Sequence, residues 1–223
     1  MIRQVFIGLY TEGTTDERFL QSLVLKVFNE IAFEAHGDFD FFIKIIKIDR
    51  QGLSYVDQVL NASRDGIDKY GISFLCVHKD ADDQSDERVF STAIRPAISE
   101  LNRQNDDYCK AVVAIVPIRM TEAWLLADKI LFKQHLGTEL SDEDLGFTNN
   151  PENIANPKQT ISNAIRIAMS NRPKRRRQQL TISELYMPLG DQIDTIHLEK
   201  LSSYRKFKES VRDAFVSLNY LQL

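Results

Sequence analysis

The chain of 223 residues is poor in cysteine and has neither a long apolar run nor an internal repeat. Its two cysteines, Cys76 and Cys109, lie far apart within apolar segments, which is typical of small core residues in a reducing compartment. No apolar run reaches the ~18 residues that a membrane helix needs, and no hydrophobic segment follows a basic start as in a signal peptide. We therefore expect a cytoplasmic protein without a membrane partner.

Several functional motifs are also missing. The chain contains neither a GxxxxGK[ST] nor a GxGxxG segment, which argues against nucleotide hydrolysis or transfer as its own chemistry. The net charge is −4, so a surface that binds polyanions over its whole extent is not expected. The histidines lack the spacing of metal ligands and receive no functional role; they are His36, His78, His135 and His197.

Strand and helix patterns alternate over the first 135 residues. Apolar, β-branched segments predict strands at 2–10, 41–48, 72–77 and 111–116, and helical periodicity predicts helices at 14–35, 56–70, 89–101 and 121–135. This alternation predicts an α/β fold with a mostly parallel sheet flanked by helices. We assign residues 1–136 to this domain and interpret 137–223 as a helical extension packed on it. A capping box is expected from Thr14 to Glu17.

Acidic residues follow two of the predicted strands. Glu12 follows the first strand and Asp16 lies in the first turn of the next helix, while Asp80 and Asp82 follow the segment ISFLCVHK. In a parallel sheet, the carboxyl ends of the strands share one edge, where ligands usually bind. If the backbone after the strand is extended, Asp80 and Asp82 point the same way and can address one cation. Gly13 would permit a close backbone approach.

Each acid taken alone has a simpler interpretation. Carboxylates near the start of a helix are usually caps or partners of the helix dipole, and a run such as Asp80 to Asp83 is often a solvated loop. Glu12 fits this interpretation less well because it ends an apolar strand. The joint pattern on one sheet edge favours a site for Mg²⁺ or Mn²⁺, since hard cations prefer oxygen ligands.

The segments LYTEGTTDERFL and FLCVHKDADD resemble the Glu-Gly and Asp-x-Asp motifs of the Toprim fold. That fold occurs in topoisomerases, bacterial primases and nucleases of the overcoming-lysogenization-defect type, and EGTTD resembles the version found in those nucleases. PIRMTEAWLLAD and RPKRRRQQL are similar to segments of a family of small stand-alone Toprim-like proteins of bacteria. Members of that family resemble partners of ATPases in anti-phage systems.

The resemblance implies roles for five acidic residues. Glu12 matches the motif glutamate, a metal ligand and general base, and Asp16 matches the second acid of the nuclease version. Asp80 and Asp82 match the Asp-x-Asp ligands, and Glu122 matches a family glutamate that would complete a second metal site. We thus expect Glu12, Asp80 and Asp82 to act in catalysis. For Glu122, a role at the start of a helix dipole is an equal alternative.

Three further features of the sequence are basic or aromatic. The pair His78-Lys79 departs from the apolar residues expected before Asp80, and Lys79 would either weaken metal binding or face solvent. Trp124 is expected in the core rather than as a platform for base stacking. A dense cationic segment is expected to contact a phosphate backbone without reading bases; with Arg166 it comprises Arg172, Lys174, Arg175, Arg176 and Arg177.

Three functions remain open at this point. The first is a metal-dependent nuclease acting on DNA or RNA, which we favour because several carboxylates meet at one edge. The second is a non-catalytic Toprim-like subunit that docks on an ATPase. The third is a nucleotidyl or sugar-nucleotide transferase that uses Asp80 and Asp82 for its metal. A homodimer is a further expectation.

Overall fold

A parallel four-stranded sheet forms the centre of the protein in a computed structural model that describes residues 2–170 and 180–222. Its strands are β1 (Ile2–Tyr10), β2 (Asp38–Ile45), β3 (Phe74–His78) and β4 (Val112–Ile115). The order across the sheet is β2-β1-β3-β4, and each neighbouring pair runs parallel. The predicted α/β class with a mostly parallel sheet is confirmed.

Helices connect the strands and continue after the sheet. The first group is α1 (Thr14–Ala32), α2 (Tyr55–Tyr70), α3 (Glu87–Val89), α4 (Arg95–Arg103), α5 (Thr121–Leu125) and α6 (Lys129–Leu136). The second group is α7 (Pro157–Ser170), α8 (Tyr186–Gln192), α9 (Thr195–Leu198) and α10 (Ser202–Ser217), with 3₁₀ turns at Pro151–Asn153 and Ile182–Glu184. None of the helices in the described ranges is long and apolar enough to cross a bilayer.

Two apolar layers cover the two faces of the sheet, as expected for buried parallel strands. One layer contains residues of α2 and α4, including Val59 and Leu101. The other contains α1 together with α8 and α10, so that Phe28 of α1, Phe74 of β3 and Phe215 of α10 form one aromatic cluster. The helices after residue 136 therefore share a core with the sheet.

Gly190 allows α8 to lie directly against α1. A Cβ atom at this position would stand 2.6 Å from the backbone oxygen of Phe19, closer than non-bonded atoms approach. Lys26 of α1 donates to the Gly190 carbonyl at 3.1 Å and to the Ile193 carbonyl at 2.7 Å. The close contact brings the start of α8 toward the carboxyl edge of the sheet, where Tyr186 enters the candidate site described below.

Two helix predictions differ from the structure. The predicted helix at 121–135 is two helices, because the chain turns after Leu125 and Asp128 starts α6 by accepting a hydrogen bond from the Leu131 N–H at 3.0 Å. The helix containing Pro96 does continue, but through a π-helical turn at Phe90–Ile94. Proline lacks an N–H and crowds the carbonyl four residues earlier, and a π turn relieves both effects.

The capping box expected at Thr14 to Glu17 is absent. Gly13 is the N-cap residue of α1, and no side chain bonds to the first turn from that position. Glu17 instead pairs with Lys47 and receives a hydrogen bond from the Thr11 hydroxyl at 3.4 Å. The acids near the start of α1 are therefore engaged with the loops at the sheet edge rather than with their own helix.

Candidate functional site

The ends of β1 and β3 meet through the carboxylate of Glu12. Its Oε2 accepts a hydrogen bond from the Asp80 N–H at 3.1 Å, and its Oε1 accepts one from Lys79 Nζ at 2.6 Å. The Glu12 side chain remains 37% exposed. Glu12, Asp16, Asp80 and Asp82, at the carboxyl ends of the strands, are called the acidic edge. Lys79 thus points at the acidic edge rather than into solvent, and its ammonium contacts one of the oxygens that a cation would use.

Asp80 is held by the loop and helix that follow β4. Its Oδ1 accepts hydrogen bonds from the Thr121 N–H at 2.9 Å and from the Thr121 hydroxyl at 3.2 Å. The same oxygen lies 3.2 Å from His78 Nε2. The ends of three adjacent strands therefore converge on Asp80.

Asp16 is buried beside Gly13 in the first turn of α1. A Cβ atom on Gly13 would lie 2.8 Å from Asp16 Oδ2, so the glycine leaves space for this carboxylate. Burial raises the pKa of Asp16, and the charges of Asp80 and Glu12 raise it further, while His78 and the Thr121 hydroxyl oppose the shift. Asp16 is thereby coupled electrostatically to both strand ends.

Asp82 lies on an exposed loop at the rim of the site. Partial burial raises its pKa, as do the charges of Asp80 and Glu12, whereas Lys79 and Arg88 act in the opposite direction. Its φ is +52°, so the backbone is not extended, contrary to the expectation that Asp80 and Asp82 point the same way. The turn is held by Arg119, whose carbonyl accepts the Asp82 N–H at 2.8 Å.

Glu122 is buried on the side of the site that faces the C-terminal helices. The Tyr186 hydroxyl donates to its Oε1 at 2.6 Å, and Lys158 Nζ lies 3.8 Å from the same atom. Burial raises the pKa of Glu122, the Tyr186 hydrogen bond lowers it, and the charge of Asp80 raises it. Glu122 is therefore coupled electrostatically to the acidic edge, although its carboxylate accepts a hydrogen bond from Tyr186 of α8.

The sequence reasoning missed His78, which received no role because the histidines lack ligand spacing. The imidazole is fully buried and lies 3.0 Å from the Thr121 hydroxyl. Burial by itself lowers the pKa of His78, but the Asp80 hydrogen bond and the charges of Asp80, Asp16 and Glu12 raise it overall. A histidine that ends a buried strand two residues before an aspartate could have indicated this contact.

The remaining predicted residues lie elsewhere. Trp124 is fully buried, and its Nε1 donates to the Ser203 hydroxyl at 2.8 Å, so it belongs to the core as expected. Arg166 is exposed on α7. Five members of the cationic segment lie outside the described residues; they are Arg172, Lys174, Arg175, Arg176 and Arg177.

The acidic edge has the donor chemistry for Mg²⁺ or Mn²⁺ but is not a preformed cage. Within residues 2–170 and 180–222, no group of three or more His, Cys, Asp or Glu side chains is arranged to hold a metal ion. Both oxygens of Glu12 and the Oδ1 atom of Asp80 instead contact polar groups of the protein, among them Lys79, Thr121 and His78. A cation at Glu12 would therefore compete with Lys79, and it would offset the charges of Glu12 and Asp80, which add to the effect of burial in raising the pKa values of Asp16 and Asp82.

Metal binding should consequently stabilise the fold. A ligand that binds only the native state adds about 2.7 kcal/mol at a hundredfold excess over Kd, so Mn²⁺ should raise the thermal midpoint, Tm. Asp16→Asn should raise Tm without metal at neutral pH and reduce the gain from Mn²⁺. An unchanged wild-type Tm at millimolar Mn²⁺ would count against the site.

The pH dependence of the same melts provides a second check. The folded-state pKa of Asp16 is raised above its ordinary value of 3.8, so the native state keeps a proton that the unfolded chain has lost. The contribution of Asp16 to the stability of the metal-free wild type should therefore fall as pH rises from near 4 through the folded pKa. The advantage of Asp16→Asn should shrink as pH is lowered toward 4, and a constant difference would contradict this assignment.

The side chains of the candidate site come from the segments after β1, β3 and β4 and from the helices α7 and α8. Comparison of the chain with protein family models, with curated proteins and with solved structures finds no match.

Proposed function

We propose that the protein cleaves nucleic-acid phosphodiesters with a divalent metal held at the acidic edge, in the manner of a Toprim-type nuclease. The observation that carries the proposal is the contact of Glu12 with the Asp80 N–H, which joins the two motif segments at one edge of the sheet. The charges of Asp80 and Glu12 support it, because they add to burial in raising the pKa of Asp16 and a cation would offset them.

Glu12, Asp80 and Asp82 would hold the metal, with Asp16 behind them and Glu122 toward a second position. A bound Mg²⁺ or Mn²⁺ would supply Lewis-acid stabilisation of charge on the phosphate oxygens. Thr121 and His78 fix the orientation of the Asp80 carboxylate through its Oδ1. Glu12 is exposed enough to meet a water molecule and to accept its proton as general base.

Local positive charge supports nucleic acid as the substrate class. The cationic segment, with Arg172, Lys174, Arg175, Arg176 and Arg177, would contact the phosphate backbone through forked or ammonium donors and would not read bases. Lys79 adds a cation inside the site itself. By the family resemblance, we propose further that the protein acts as the effector of an ATPase-linked anti-phage system.

The direct test is cleavage by the purified protein. Plasmid DNA, linear DNA and RNA are incubated with Mg²⁺, with Mn²⁺ and with EDTA, and products are resolved on gels. Cleavage that requires metal would support the proposal. Absence of cleavage with every substrate, both alone and with an ATPase partner, would contradict it.

A non-catalytic subunit that docks on an ATPase is the alternative, and the ion pair of Lys79 with Glu12 favours it. An ammonium that neutralises the motif glutamate at 2.6 Å can maintain the fold of the acidic edge without a metal. If the protein is a nuclease, Lys79 must release the Glu12 carboxylate so that the cation can bind it. The two functions therefore differ in what removal of the Lys79 charge does.

Lys79→Met is expected to tighten Mn²⁺ binding by about two- to fivefold, because it removes a cation whose partly exposed ion pair contributes up to about 1 kcal/mol. Methionine keeps an apolar stem beside the Tyr55 ring, which lies 5.4 Å from Lys79 Nζ. Titration calorimetry measures the change. Lys47→Met is the matched control, since Lys47 pairs with Glu17 instead and should leave Kd unaltered. If neither variant nor wild type binds Mn²⁺, the docking subunit becomes the better interpretation.

A further inference from the structure

The outer edge of β2 lacks a partner within the described ranges of the chain. β2 pairs with β1 on one side, and the sheet ends there. The Ile46 N–H donates to the Leu9 carbonyl at 2.9 Å, so even-numbered residues of this segment direct their backbone groups toward β1. The odd-numbered residues therefore direct theirs outward, and the two central ones are Phe41 and Ile43. An unpaired strand edge of this length is a template for pairing with another strand.

The side chains of β2 differ between its two faces. The odd-numbered residues pack on the core that contains α1 and α10. On the other face, α2 packs against β1 and β3, and it reaches β2 at Lys44, whose Nζ lies 5.8 Å from the ring centre of Tyr70 at the end of α2. Asp40 and Phe42 remain exposed and form, with the half-buried Lys44, a strip along this face. Phe42 is 37% exposed, and its ring lies 5.5 Å from that of Phe6. Lys44 Nζ lies 5.2 Å from the centre of the Phe6 ring.

We propose that a second copy of this chain pairs its β2 antiparallel with this edge, about a two-fold axis at Phe42. In that register Phe42 faces Phe42 of the second copy, and Asp40 faces Lys44 of the second copy on both sides of the axis. The outward backbone groups of Phe41 and Ile43 then face each other and can form the ladder hydrogen bonds. Phe42 occupies a non-hydrogen-bonded pair, where opposing side chains are closest.

Charge complementarity identifies the occupant as a second copy. The strip is acidic at Asp40 and basic at Lys44, so antiparallel pairing with itself satisfies both charges, as an isologous interface requires. A shift of two residues in one direction places Asp40 opposite Ile46 and Lys44 opposite Phe42, so no opposite charges meet. A shift in the other direction places Lys44 opposite Asp38 and Asp40 opposite Phe42, which keeps an ion pair but separates the two Phe42 rings. A shift of one residue pairs outward backbone groups with inward ones and breaks the ladder.

The pairing would join two sheets into one of eight strands, and it involves none of the residues of the acidic edge. It is therefore independent of the proposed nuclease activity. A contact made mainly by one strand from each copy buries less surface than a permanent dimer, so the dimer should dissociate on dilution.

Sedimentation equilibrium from micromolar to several hundred micromolar protein tests this surface. Wild type should show a reversible monomer–dimer equilibrium. Asp40→Lys and Lys44→Asp each place like charges opposite one another at two positions and should weaken dimerisation by about tenfold or more. The double variant Asp40→Lys/Lys44→Asp restores opposite charges and should dimerise like wild type, and an equimolar mixture of the two single variants should form a heterodimer.

Asp38→Lys is the matched control, because Asp38 is exposed on the same face of β2 but faces no charge in the proposed register. It should dimerise like wild type. A monomer at every concentration would overturn the proposal, as would a dimer that Asp40→Lys leaves intact or that the charge exchange fails to restore. An equal effect of Asp38→Lys would also overturn it. Circular dichroism melts identify any misfolded variant, and Asp40→Lys suffices for the test if Lys44→Asp fails to fold.

Discussion

Glu12→Gln and Asp80→Asn are each expected to reduce metal-dependent cleavage by about a hundredfold or more while the fold stays intact. Each change keeps the shape of the side chain and removes the charge that attracts the cation. The amide of Asn can still accept the Thr121 hydrogen bonds to position 80, which is why the local structure should persist. Initial rates of plasmid or RNA cleavage under matched Mg²⁺ provide the measurement.

Asp83→Asn is the matched control for these variants. Asp83 lies on the same loop and is exposed, but its carboxylate bonds to the neighbouring Gln84 N–H at 2.7 Å rather than to the site. Loss of the Asp83 charge should leave the cleavage rate within a few-fold of the wild-type rate. Cleavage by Glu12→Gln or Asp80→Asn at the wild-type rate would show that the proposed ligands are wrong, and equal losses in all three variants would indicate a general charge effect.

Among the variants proposed for this protein, Glu152→Ala should lower the free energy of unfolding most, by about 3 kcal/mol or more, because it leaves buried hydrogen-bond donors without a partner. Its two carboxylate oxygens accept hydrogen bonds from the N–H groups and hydroxyls of Ser202 and Ser203 at 2.6 to 3.0 Å. Glu152 therefore caps the first turn of α10 from a loop distant in sequence. The Ser203 hydroxyl also receives the Trp124 indole hydrogen bond, which joins the network to α5.

Thermal melts should record a fall of Tm by about 6–12 °C for this loss in a chain of this size. Glu152→Gln should be intermediate, because one oxygen becomes an amide donor facing other donors. Glu184→Ala is the control: Glu184 completes an exposed capping box with Thr181, and water can replace its contacts. A Tm for Glu152→Ala no lower than that of Glu184→Ala would contradict the proposed importance of the buried cap.

The location of the acidic edge was predictable because local patterns and one topological rule suffice for it. Apolar runs indicated β1, β3 and β4, and their alternation with helices implied a parallel sheet whose carboxyl ends coincide. Glu12 and Asp80 follow directly from strand ends, so their proximity required no knowledge of side-chain packing. The sequence by itself thus determined the fold class and which acids share an edge.

The sequence could not determine how the edge is held, because those contacts join residues far apart in the chain. Thr121 reaches Asp80 and Tyr186 reaches Glu122 only after β4 and α8 have packed, and the ammonium of Lys79 turns toward Glu12 for the same reason. The break between α5 and α6 likewise depends on tertiary context, since the segment keeps helical periodicity while Asp128 starts a new helix.

His78 shows most clearly what the sequence could not predict about the site. In the sequence it is a lone histidine at the end of an apolar strand, and such residues are ordinary in protein cores. Only the packed structure surrounds its imidazole with Asp80, Asp16 and Glu12, whose charges raise its pKa against the effect of burial. Secondary structure follows from periodicity along the chain, but the protonation and orientation of site residues depend on neighbours that the tertiary fold supplies.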